Sequence, residues 1–343
     1  MTEPLTILIS TYLEPELVAE IAAASPGDTV LYQPELMPAP RYVSDHGGVA
    51  PELDDAAVER WLGMLRQADV AFDFDWRDPA ALPTTAPRLK WVQATSAGIG
   101  GFMARTGLDR SGITATTAGG VHAVPLAEFA LTGALHFVKG VPHLRSQQAA
   151  HRWERYTTRQ LAGLNVTVVG VGGMGSNVVA VFDALGAHVT AVGRPGGSYS
   201  LAPSVRVADT DGLHDVLPGT DVLVLCTALT AATDGLIGPD ELALLPRDAV
   251  LVNISRGQVV DEEALIEALT EGRLLGAALD VVAHEPLPAD SPLWDLDNVL
   301  LSPHSASTVA SENRTLTELF NENLRRFRAG EPLKNLYDSE RGY

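Results

Sequence analysis

The first 95 residues alternate between short apolar runs and a segment with helical spacing. Apolar runs at residues 5–10, 29–32, 69–74 and 91–95 predict strands, and the apolar spacing over 14–24 predicts a helix. Strands that alternate with helices usually form a parallel sheet covered by helices. The pattern therefore predicts a first, smaller α/β unit.

Residues 34–51 interrupt this alternation. They contain four prolines and the pair Gly47-Gly48, and proline removes a backbone donor and fixes the backbone angle. We therefore expect a long irregular loop, of the kind that usually has a function in compact domains. The pattern assigns it no particular chemistry.

A long helical pattern at residues 124–141 separates this unit from a second series of strands and predicts a crossing between two domains. Pro125 is compatible with such a helix because it stands near its start. Six apolar runs follow, each joined to the next by a helical stretch: 165–169, 188–192, 221–226, 249–254, 275–281 and 299–301. They predict a doubly wound sheet. Residues 308–327 predict a last helix, which we expect to pack back on the first unit.

Composition limits the functions that this chain can have. No apolar run approaches the roughly 20 residues that span a bilayer, and the first residues lack a basic stretch before an apolar one. We therefore expect a soluble, cytoplasmic protein with no membrane partner. The formal net charge of −19 repels nucleic acid, and the basic residues between Arg145 and Arg159 suit a solvated helix end.

The chain has one cysteine, Cys226, inside an apolar run. A single cysteine excludes an intrachain disulfide and a cysteine-rich metal site. No histidine or cysteine pair has the spacing of metal ligands, so we expect no metal. Cys226 is predicted to be a buried strand residue.

A glycine-rich turn follows the valine-rich run at 165–169. In this turn Gly170 permits a tight bend, Gly172 lets the backbone approach a pyrophosphate, and Gly175 lets helix and strand pack closely. The helix that begins there presents unpaired N–H groups to phosphates. We predict that a dinucleotide binds to this turn, including Gly173 and Met174; a turn with a purely geometric role is the alternative.

The end of the next predicted strand reads Val192-Gly193-Arg194. Sites that prefer NAD usually have a carboxylate there, which binds the ribose hydroxyls. None occurs between Asp183 and Asp209, whereas Arg194 can pair with a 2′-phosphate through two hydrogen bonds. We therefore predict that Gly193 and Arg194 bind the cofactor and that NADP(H) is favoured over NAD(H). The alternative is a solvent-exposed loop arginine.

Three polar residues follow three later strands. Arg256 lies in the segment 253–257, Glu285 in 280–286, and His304 is preceded by Ser302-Pro303. Because ligands of open α/β sheets bind outside the carboxyl ends of the strands, these side chains can meet in one cleft. Taken singly, a histidine after a strand is more often a structural hydrogen-bonding group, and an arginine more often a surface charge.

Together with the glycine turn, these residues resemble the D-isomer-specific 2-hydroxyacid dehydrogenase family. The likeness runs from Gly163 to Ser305, and the segment 245–261, LPRDAVLVNISRGQVVD, is its most specific part. Residues 95–98 resemble the family's substrate-carboxylate loop, and 126–128 its interdomain helix. The chain departs from the family at 282–284, where an aromatic and an acidic residue are common and His284 adds a second ring beside Glu285.

The resemblance implies two Rossmann-like doubly wound domains. A flavodoxin-like substrate domain, residues 1–123 and 308–343, would hold an inserted NAD(P)-binding domain, residues 124–307. A homodimer would form through the cofactor domains.

The resemblance also implies a reaction, in which a hydride moves between NAD(P)H and the α carbon of a small 2-keto or 2-hydroxy acid. Glyoxylate and hydroxypyruvate are candidate substrates. Arg256 would bind the carboxylate and polarise the ketone. His304 would donate a proton to the ketone oxygen, or accept it in the reverse direction, and Glu285 would orient the ring and favour its protonated form.

Five further residues complete the predicted site. Backbone N–H groups of Ala97 and Gly98 are expected to bind the substrate carboxylate. Asp280 resembles a residue that meets the nicotinamide carboxamide, Thr227 resembles a cofactor-lining position, and Ser255 is predicted to line the same pocket. Capping is the alternative for Asp280 and Thr227.

Two other classes stay open. One is a cofactor-sensing binding protein, similar to the corepressors that share this fold and its three polar residues. The other is a formate or phosphonate dehydrogenase. His122 is either a residue that faces the cleft or a structural histidine.

Overall fold

The structure is a computed structural model that describes residues 3–339. It divides into two compact units, one with the described residues up to His122 and from Thr308 onward, the other with Ala123–Ser307. Each unit has its own parallel sheet, which confirms the predicted α/β class with two doubly wound sheets. The boundaries at residues 123 and 124, and the roles expected for the two units, stay predictions.

The described residues contain twelve strands in two sheets: β1 (Thr6–Ile9), β2 (Thr29–Leu31), β3 (Val70–Phe72), β4 (Trp91–Gln93), β5 (Thr114–Thr116), β6 (Asn165–Val169), β7 (His188–Gly193), β8 (Arg206–Asp209), β9 (Val222–Leu225), β10 (Val250–Asn253), β11 (Gly276–Leu279) and β12 (Val299–Leu301). Their α-helices are α1 (Pro15–Ala24), α2 (Asp55–Gln67), α3 (Leu82–Thr85), α4 (Gly100–Thr106), α5 (Ala123–Val138), α6 (Val141–Ala149), α7 (Gly173–Ala184), α8 (Leu213–Val216), α9 (Pro239–Leu244), α10 (Glu262–Thr270) and α11 (Glu312–Ala329).

The first unit contains the five-stranded sheet, in the order β2-β1-β3-β4-β5. This is the flavodoxin-like order, whose switch point lies between β1 and β3. The edge strand β5 was not predicted, because its sequence Thr-Ala-Thr has no apolar run. Thr116 is nevertheless fully buried, since its hydroxyl bonds the side chains of Gln93 and Trp91 at 2.9 and 2.8 Å.

The second unit contains the seven-stranded sheet, in the order β12-β11-β10-β9-β6-β7-β8. It has one strand more than the six predicted. The additional strand, β8, lies at the edge of the sheet, where it has a neighbouring strand on one side only. Its Val207 is exposed. The chain order reverses between β6 and β9, which places the crevice of a doubly wound sheet beside the glycine turn.

The predicted helix at 124–141 is two helices. α5 ends at Val138 because Gly140 has a φ of 65°, and α6 begins at Val141. The basic residues do not form a helix end as expected: Arg145 lies in the middle of α6, and residues 151–160 are not helical. Helix α2 was not predicted; Asp54 caps it by accepting a 2.7 Å bond from the N–H of Ala57.

Helix α11 packs on the core of the first unit, as predicted, although it begins at Glu312 rather than 308. Its Phe320 ring lies 5.2 Å from the rings of both Phe72 and Trp91. The aromatic contacts bury the apolar face of the helix against the sheet.

The proline-rich loop has an internal order that its composition did not reveal. The Asp45 carboxylate accepts bonds from Arg41 and from the N–H groups of Gly47 and Gly48. The Arg41 guanidinium holds the pKa of Asp45 well below its usual range. A single buried carboxylate therefore organises the tip of this loop.

Two further observations concern the composition. Between residues 3 and 339 no helix is both long and apolar enough to cross a bilayer. Cys226 is buried directly after β9, and burial raises the pKa of its thiol.

Candidate active site

Three neighbouring strands of the seven-stranded sheet end in the loops that carry the predicted catalytic residues. Arg256 follows β10, Glu285 follows β11, and His304 follows β12. The three strands are parallel neighbours, so their carboxyl ends share one edge. The structure thus brings the three loops to the same edge, as the sequence predicted.

Glu285 and His304 are in direct contact. The Nδ1 atom of His304 lies 2.8 Å from Oε2 of Glu285. The imidazole is 43% exposed and the carboxylate 38% exposed. Because the hydrogen bond uses Nδ1, the other ring nitrogen, Nε2, is the one through which the ring would exchange a proton with a ligand.

The loop that carries His304 is fixed by Asp280. His304 has a φ of 54°, which is uncommon for a residue other than glycine, and its N–H donates to the carbonyl of Asp280 at 2.8 Å. Oδ1 of Asp280 accepts from the hydroxyl of Ser302 and from the N–H groups of Ser305 and Ala306, at 2.6, 3.0 and 2.9 Å. These bonds correspond to the capping alternative, and the contact of Asp280 with a cofactor stays a prediction.

Asn253, which the sequence analysis did not select, organises the loop of Arg256. Its Nδ2 donates to the carbonyl of Arg256 at 2.9 Å, and its Oδ1 accepts from the N–H and hydroxyl of Ser255 at 3.0 and 2.7 Å. Nη1 of Arg256 donates to the Ser255 carbonyl at 2.6 Å. A polar residue at the end of a buried strand was the signal that could have identified Asn253. Ser255 is buried, and its contact with the cofactor stays a prediction.

The loops after β10 and β11 are held against each other. A Cβ atom on Gly257 would overlap the backbone of Val282, so only glycine fits there. Nε2 of Gln258 donates to the carbonyl of Ala283 at 3.0 Å, and Glu262 accepts from the N–H of the same residue at 2.7 Å. This packing fixes the positions of the Arg256 and Glu285 loops relative to each other.

The glycine turn between β6 and α7 has the geometry that a dinucleotide requires. Gly170 has a φ of +98°, and a Cβ on it would lie 2.6 Å from the backbone nitrogen of Thr227. A Cβ on Gly175 would overlap the carbonyl oxygen of Gly170, whereas one on Gly172 would meet nothing within 4 Å. The turn is therefore closely packed on its inner side and open at Gly172, where a pyrophosphate would approach.

The amino end of α7 adds donors to this turn. Gly173 and Met174 are the first two helical residues, and Gly172, the N-cap, provides no side-chain cap. Their N–H groups can therefore point to phosphate oxygens, with the helix dipole in the favourable direction. The residues present fit an NAD(P) cofactor.

Gly193 ends β7 and is buried, whereas Arg194, Ala97 and Gly98 occupy exposed loop positions. Arg194 follows β7 directly, is exposed, and donates its backbone N–H to the hydroxyl of Tyr199 at 2.9 Å. Ala97 and Gly98 lie in the first unit, in an exposed loop between β4 and α4. Their binding of a substrate carboxylate stays a prediction.

The first unit has a second cluster of ionisable side chains. Oε1 of Glu312 lies 3.2 Å from Nε2 of His122 and 3.6 Å from Nε2 of His46, and Nδ1 of His46 bonds the hydroxyl of Thr11 at 3.2 Å. Burial raises the pKa of Glu312, but the two histidines outweigh burial and lower it. His122 thus has a hydrogen-bonding role inside this unit. Within residues 3–339, no group of three or more His, Cys, Asp or Glu side chains is arranged to hold a metal ion.

Comparisons with known proteins match this architecture. The family described as "D-isomer specific 2-hydroxyacid dehydrogenase, NAD binding domain" matches residues 131–306. A glyoxylate reductase of Aeropyrum pernix is 31% identical over 293 residues, which cover 82% of this chain and 86% of that protein.

Two crystal structures are similar over the whole length. A D-isomer specific 2-hydroxyacid dehydrogenase from Xanthobacter autotrophicus Py2, in complex with NADPH and MES, is 30% identical with a TM-score of 0.78 and 100% of both chains covered. An NADPH-dependent glyoxylate/hydroxypyruvate reductase from Sinorhizobium meliloti, in complex with NADP and sulfate, is 27% identical with a TM-score of 0.79, covering 99% of this chain and 100% of that one.

The two parallel sheets and the glycine turn, together with these matches, define an NAD(P)-binding oxidoreductase with two α/β units. The chain belongs to the D-isomer-specific 2-hydroxyacid dehydrogenase family and is an NAD(P)-dependent enzyme of that family. The family membership predicted from the sequence is confirmed.

Proposed function

We propose that this enzyme reduces a small 2-keto acid, glyoxylate or hydroxypyruvate, with NADPH. The observation that carries the proposal is the 2.8 Å contact between His304 and Glu285, at the sheet edge that also carries the Arg256 loop. The names of the Aeropyrum pernix and Sinorhizobium meliloti relatives support glyoxylate and hydroxypyruvate as the first substrates to test.

Arg256, His304 and Glu285 have different roles in the proposed reaction. The nicotinamide supplies a hydride to the α carbon when the cofactor is bound. Arg256 binds the carboxylate of the keto acid through charge-assisted hydrogen bonds and polarises the ketone. As negative charge develops on the ketone oxygen, Nε2 of His304 donates a proton to it. Glu285, bonded to Nδ1, stabilises the imidazolium and keeps the ring oriented.

The other predicted residues have supporting roles in this proposal. Backbone N–H groups of Ala97 and Gly98 bind the substrate carboxylate, because small residues allow close approach. Thr227, Ser255 and Asp280 line the cofactor site. Thr227 is the best supported of these, since its backbone lies against Gly170 at the switch point of the sheet.

The cofactor preference follows from Arg194. It stands at the carboxyl end of β7, where a carboxylate would select NAD and an arginine can bind a 2′-phosphate. The two structural relatives were crystallised with NADPH and NADP. NADP(H) is therefore the proposed cofactor.

A homodimer through the unit Ala123–Ser307 is part of the proposal. Trp153 is 99% exposed, and Leu144 and Tyr156 are also exposed. A contiguous exposed apolar patch is typical of an association surface, and these three side chains are the proposed members of one. Light scattering should give twice the chain mass for the wild type and a lower mass for Trp153→Ser. A wild-type monomer at micromolar concentration would contradict the dimer.

Mixing the purified enzyme with NADPH or NADH and a series of 2-keto acids tests the activity. Loss of nicotinamide absorbance with glyoxylate or hydroxypyruvate, faster with NADPH, is the expected result. Cofactor binding without turnover would favour a cofactor-sensing binding protein. Reduction of NAD⁺ by formate or phosphonate would favour that alternative class of dehydrogenase.

A further inference from the structure

We propose that Tyr199 is a positioning residue for Arg194 and thereby sets the preference for a dinucleotide with a 2′-phosphate. The inference rests on the proposed NADP(H) preference and adds to it a residue outside the glycine turn. Tyr199 lies six residues beyond the end of β7 and five after Arg194, in the loop that follows Arg194.

The segment 194–197 forms a tight turn. The N–H of Gly197 donates to the carbonyl of Arg194 at 3.0 Å. Pro195 stands at the second position of the turn, and Gly196 has a φ of +68° at the third. This is the signature of a type II turn, in which proline presets the backbone and glycine accepts the positive φ. The carbonyl of Arg194 is therefore fixed by its own loop.

Tyr199 fixes the other backbone group of Arg194. The phenol oxygen accepts the N–H of Arg194 at 2.9 Å. Both backbone hydrogen-bonding groups of Arg194 are thus engaged, the carbonyl by Gly197 and the N–H by Tyr199. The arginine leaves the strand in one defined direction, which limits where its long side chain can reach.

Two glycines make room for the tyrosine ring. A Cβ atom on Gly193 or on Gly197 would overlap the outer part of the ring. The ring therefore lies against both glycines, and a methyl group at either position would displace it. The glycine turn after β6 does not explain why glycine occurs at positions 193 and 197, whereas the packing of the Tyr199 ring does.

The position of this loop gives the arrangement its function. The carboxyl end of the second strand of a dinucleotide-binding sheet is where the ribose of the adenosine is recognised. A guanidinium binds a phosphate best when its two donors are already oriented, since less conformational freedom is then lost on binding. A ribose without a 2′-phosphate does not use Arg194, so the effect of Tyr199 should be confined to phosphorylated ligands.

Binding of adenine fragments tests this inference without turnover. We would measure the Kd of 2′,5′-ADP and of 5′-AMP by calorimetry for the wild type and for Tyr199→Phe, which loses only the hydroxyl. The affinity for 2′,5′-ADP should fall roughly 2- to 10-fold, as expected for one hydrogen bond. The affinity for 5′-AMP should stay within about twofold. NADPH and NADH should follow the same pattern.

Three further variants make the test specific. Tyr32→Phe is the matched control, since its phenol oxygen also accepts a backbone N–H, that of Leu13 in the first unit at 3.2 Å, and it should leave both affinities unchanged. Gly197→Ala displaces the Tyr199 ring while keeping its hydroxyl. It should lower the affinity for 2′,5′-ADP at least as much as Tyr199→Phe does. In an Arg194→Gln background, Tyr199→Phe should add less than about twofold, because the two residues act together.

Each other outcome overturns the inference. An unchanged ratio of the two affinities in Tyr199→Phe shows that the hydroxyl does not position Arg194. If Tyr199→Phe binds both fragments equally more weakly and has a lower Tm, the role of Tyr199 is merely structural. If the wild type binds 2′,5′-ADP no better than 5′-AMP, the proposed NADP(H) preference itself fails, which distinguishes this case from the first two.

Discussion

The two parallel sheets each carry a histidine–carboxylate pair beyond their strands, and the pairs differ in exposure. In the second unit His304 and Glu285 lie 2.8 Å apart, 43% and 38% exposed. In the first unit His122 and Glu312 lie 3.2 Å apart, 15% and 7% exposed. The same two chemical groups thus occur once where a ligand can reach them and once inside the packed interior.

Under the proposed function, this difference separates a catalytic pair from a structural one. A half-exposed imidazole can pass a proton to a ligand, and its partner Glu285 also accepts a bond from the N–H of Val282 at 3.3 Å. A buried carboxylate must be satisfied by neighbours, and Glu312 is hydrogen-bonded to His122, while the ring of His46 lies 3.6 Å away. We therefore expect changes in the exposed pair to affect turnover and changes in the buried pair to affect stability.

The largest expected effect is that of His304→Ala on turnover. Loss of the proton donor should lower kcat about 10²- to 10⁴-fold, while the Kd of NADPH stays within about twofold. His284→Ala is the matched control, since it removes an exposed ring next to Glu285, and it should leave kcat within a few fold. Unchanged turnover in His304→Ala would refute the acid–base assignment.

Glu285→Gln should have a smaller effect of the same kind. The amide still accepts the bond from Nδ1 but no longer carries the charge that stabilises the imidazolium. A hydrogen bond to a charged group is worth about 1.5–3 kcal/mol, so kcat should fall roughly 10- to 100-fold. Steady-state kinetics checks this. A higher KM with an unchanged kcat would contradict the role of Glu285 in proton transfer.

The buried pair should respond in stability instead. Glu312→Ala leaves two imidazoles without their partner, at a cost of about 1–3 kcal/mol, measured by urea unfolding. Glu318→Ala, on the exposed side of the same helix, should change the free energy of unfolding by less than about 0.5 kcal/mol. If the two variants are equally stable, Glu312 has no structural role.

The pH dependence should give the smallest effect. Because its histidine partners lower the pKa of Glu312 below the ordinary value of 4.5, the carboxylate contributes stability above pH 4.5 that is lost as the pH falls through the lower, folded-state pKa. The difference in unfolding free energy between wild type and Glu312→Ala should therefore shrink below pH 4.5. A difference that is constant down to pH 3 would contradict this.

The residues that the sequence analysis identified share one property: each follows an apolar run or a glycine turn. Glu285 and His304 follow strands of one parallel sheet, so strand order alone brings their loops to one edge. The strands β5 and β8 were not predicted because both lie at sheet edges and lack a buried apolar run. In β5 the buried Thr116 is satisfied by hydrogen bonds, and in β8 Val207 is exposed.

The buried cluster could not be predicted in the same way. His46 lies in the proline-rich loop and His122 at the end of the first chain segment of its unit. Glu312 is the first residue of α11. No local pattern links positions so far apart, and the contact between them depends on how α11 packs on the sheet. Asp280 was selected by its resemblance to a family residue and Asn253 was not selected, and the hydrogen-bonding partners of neither could be predicted from the sequence.

A double-mutant cycle on kcat tests the central claim most directly, namely that Glu285 and His304 act as one proton-transfer unit. The rates of wild type, His304→Ala, Glu285→Gln and the double variant would be compared with NADPH and glyoxylate. Our account predicts that Glu285→Gln lowers kcat by less than about twofold once His304 is absent. If the two losses multiply instead, Glu285 does not act through His304, and the proposed mechanism is wrong.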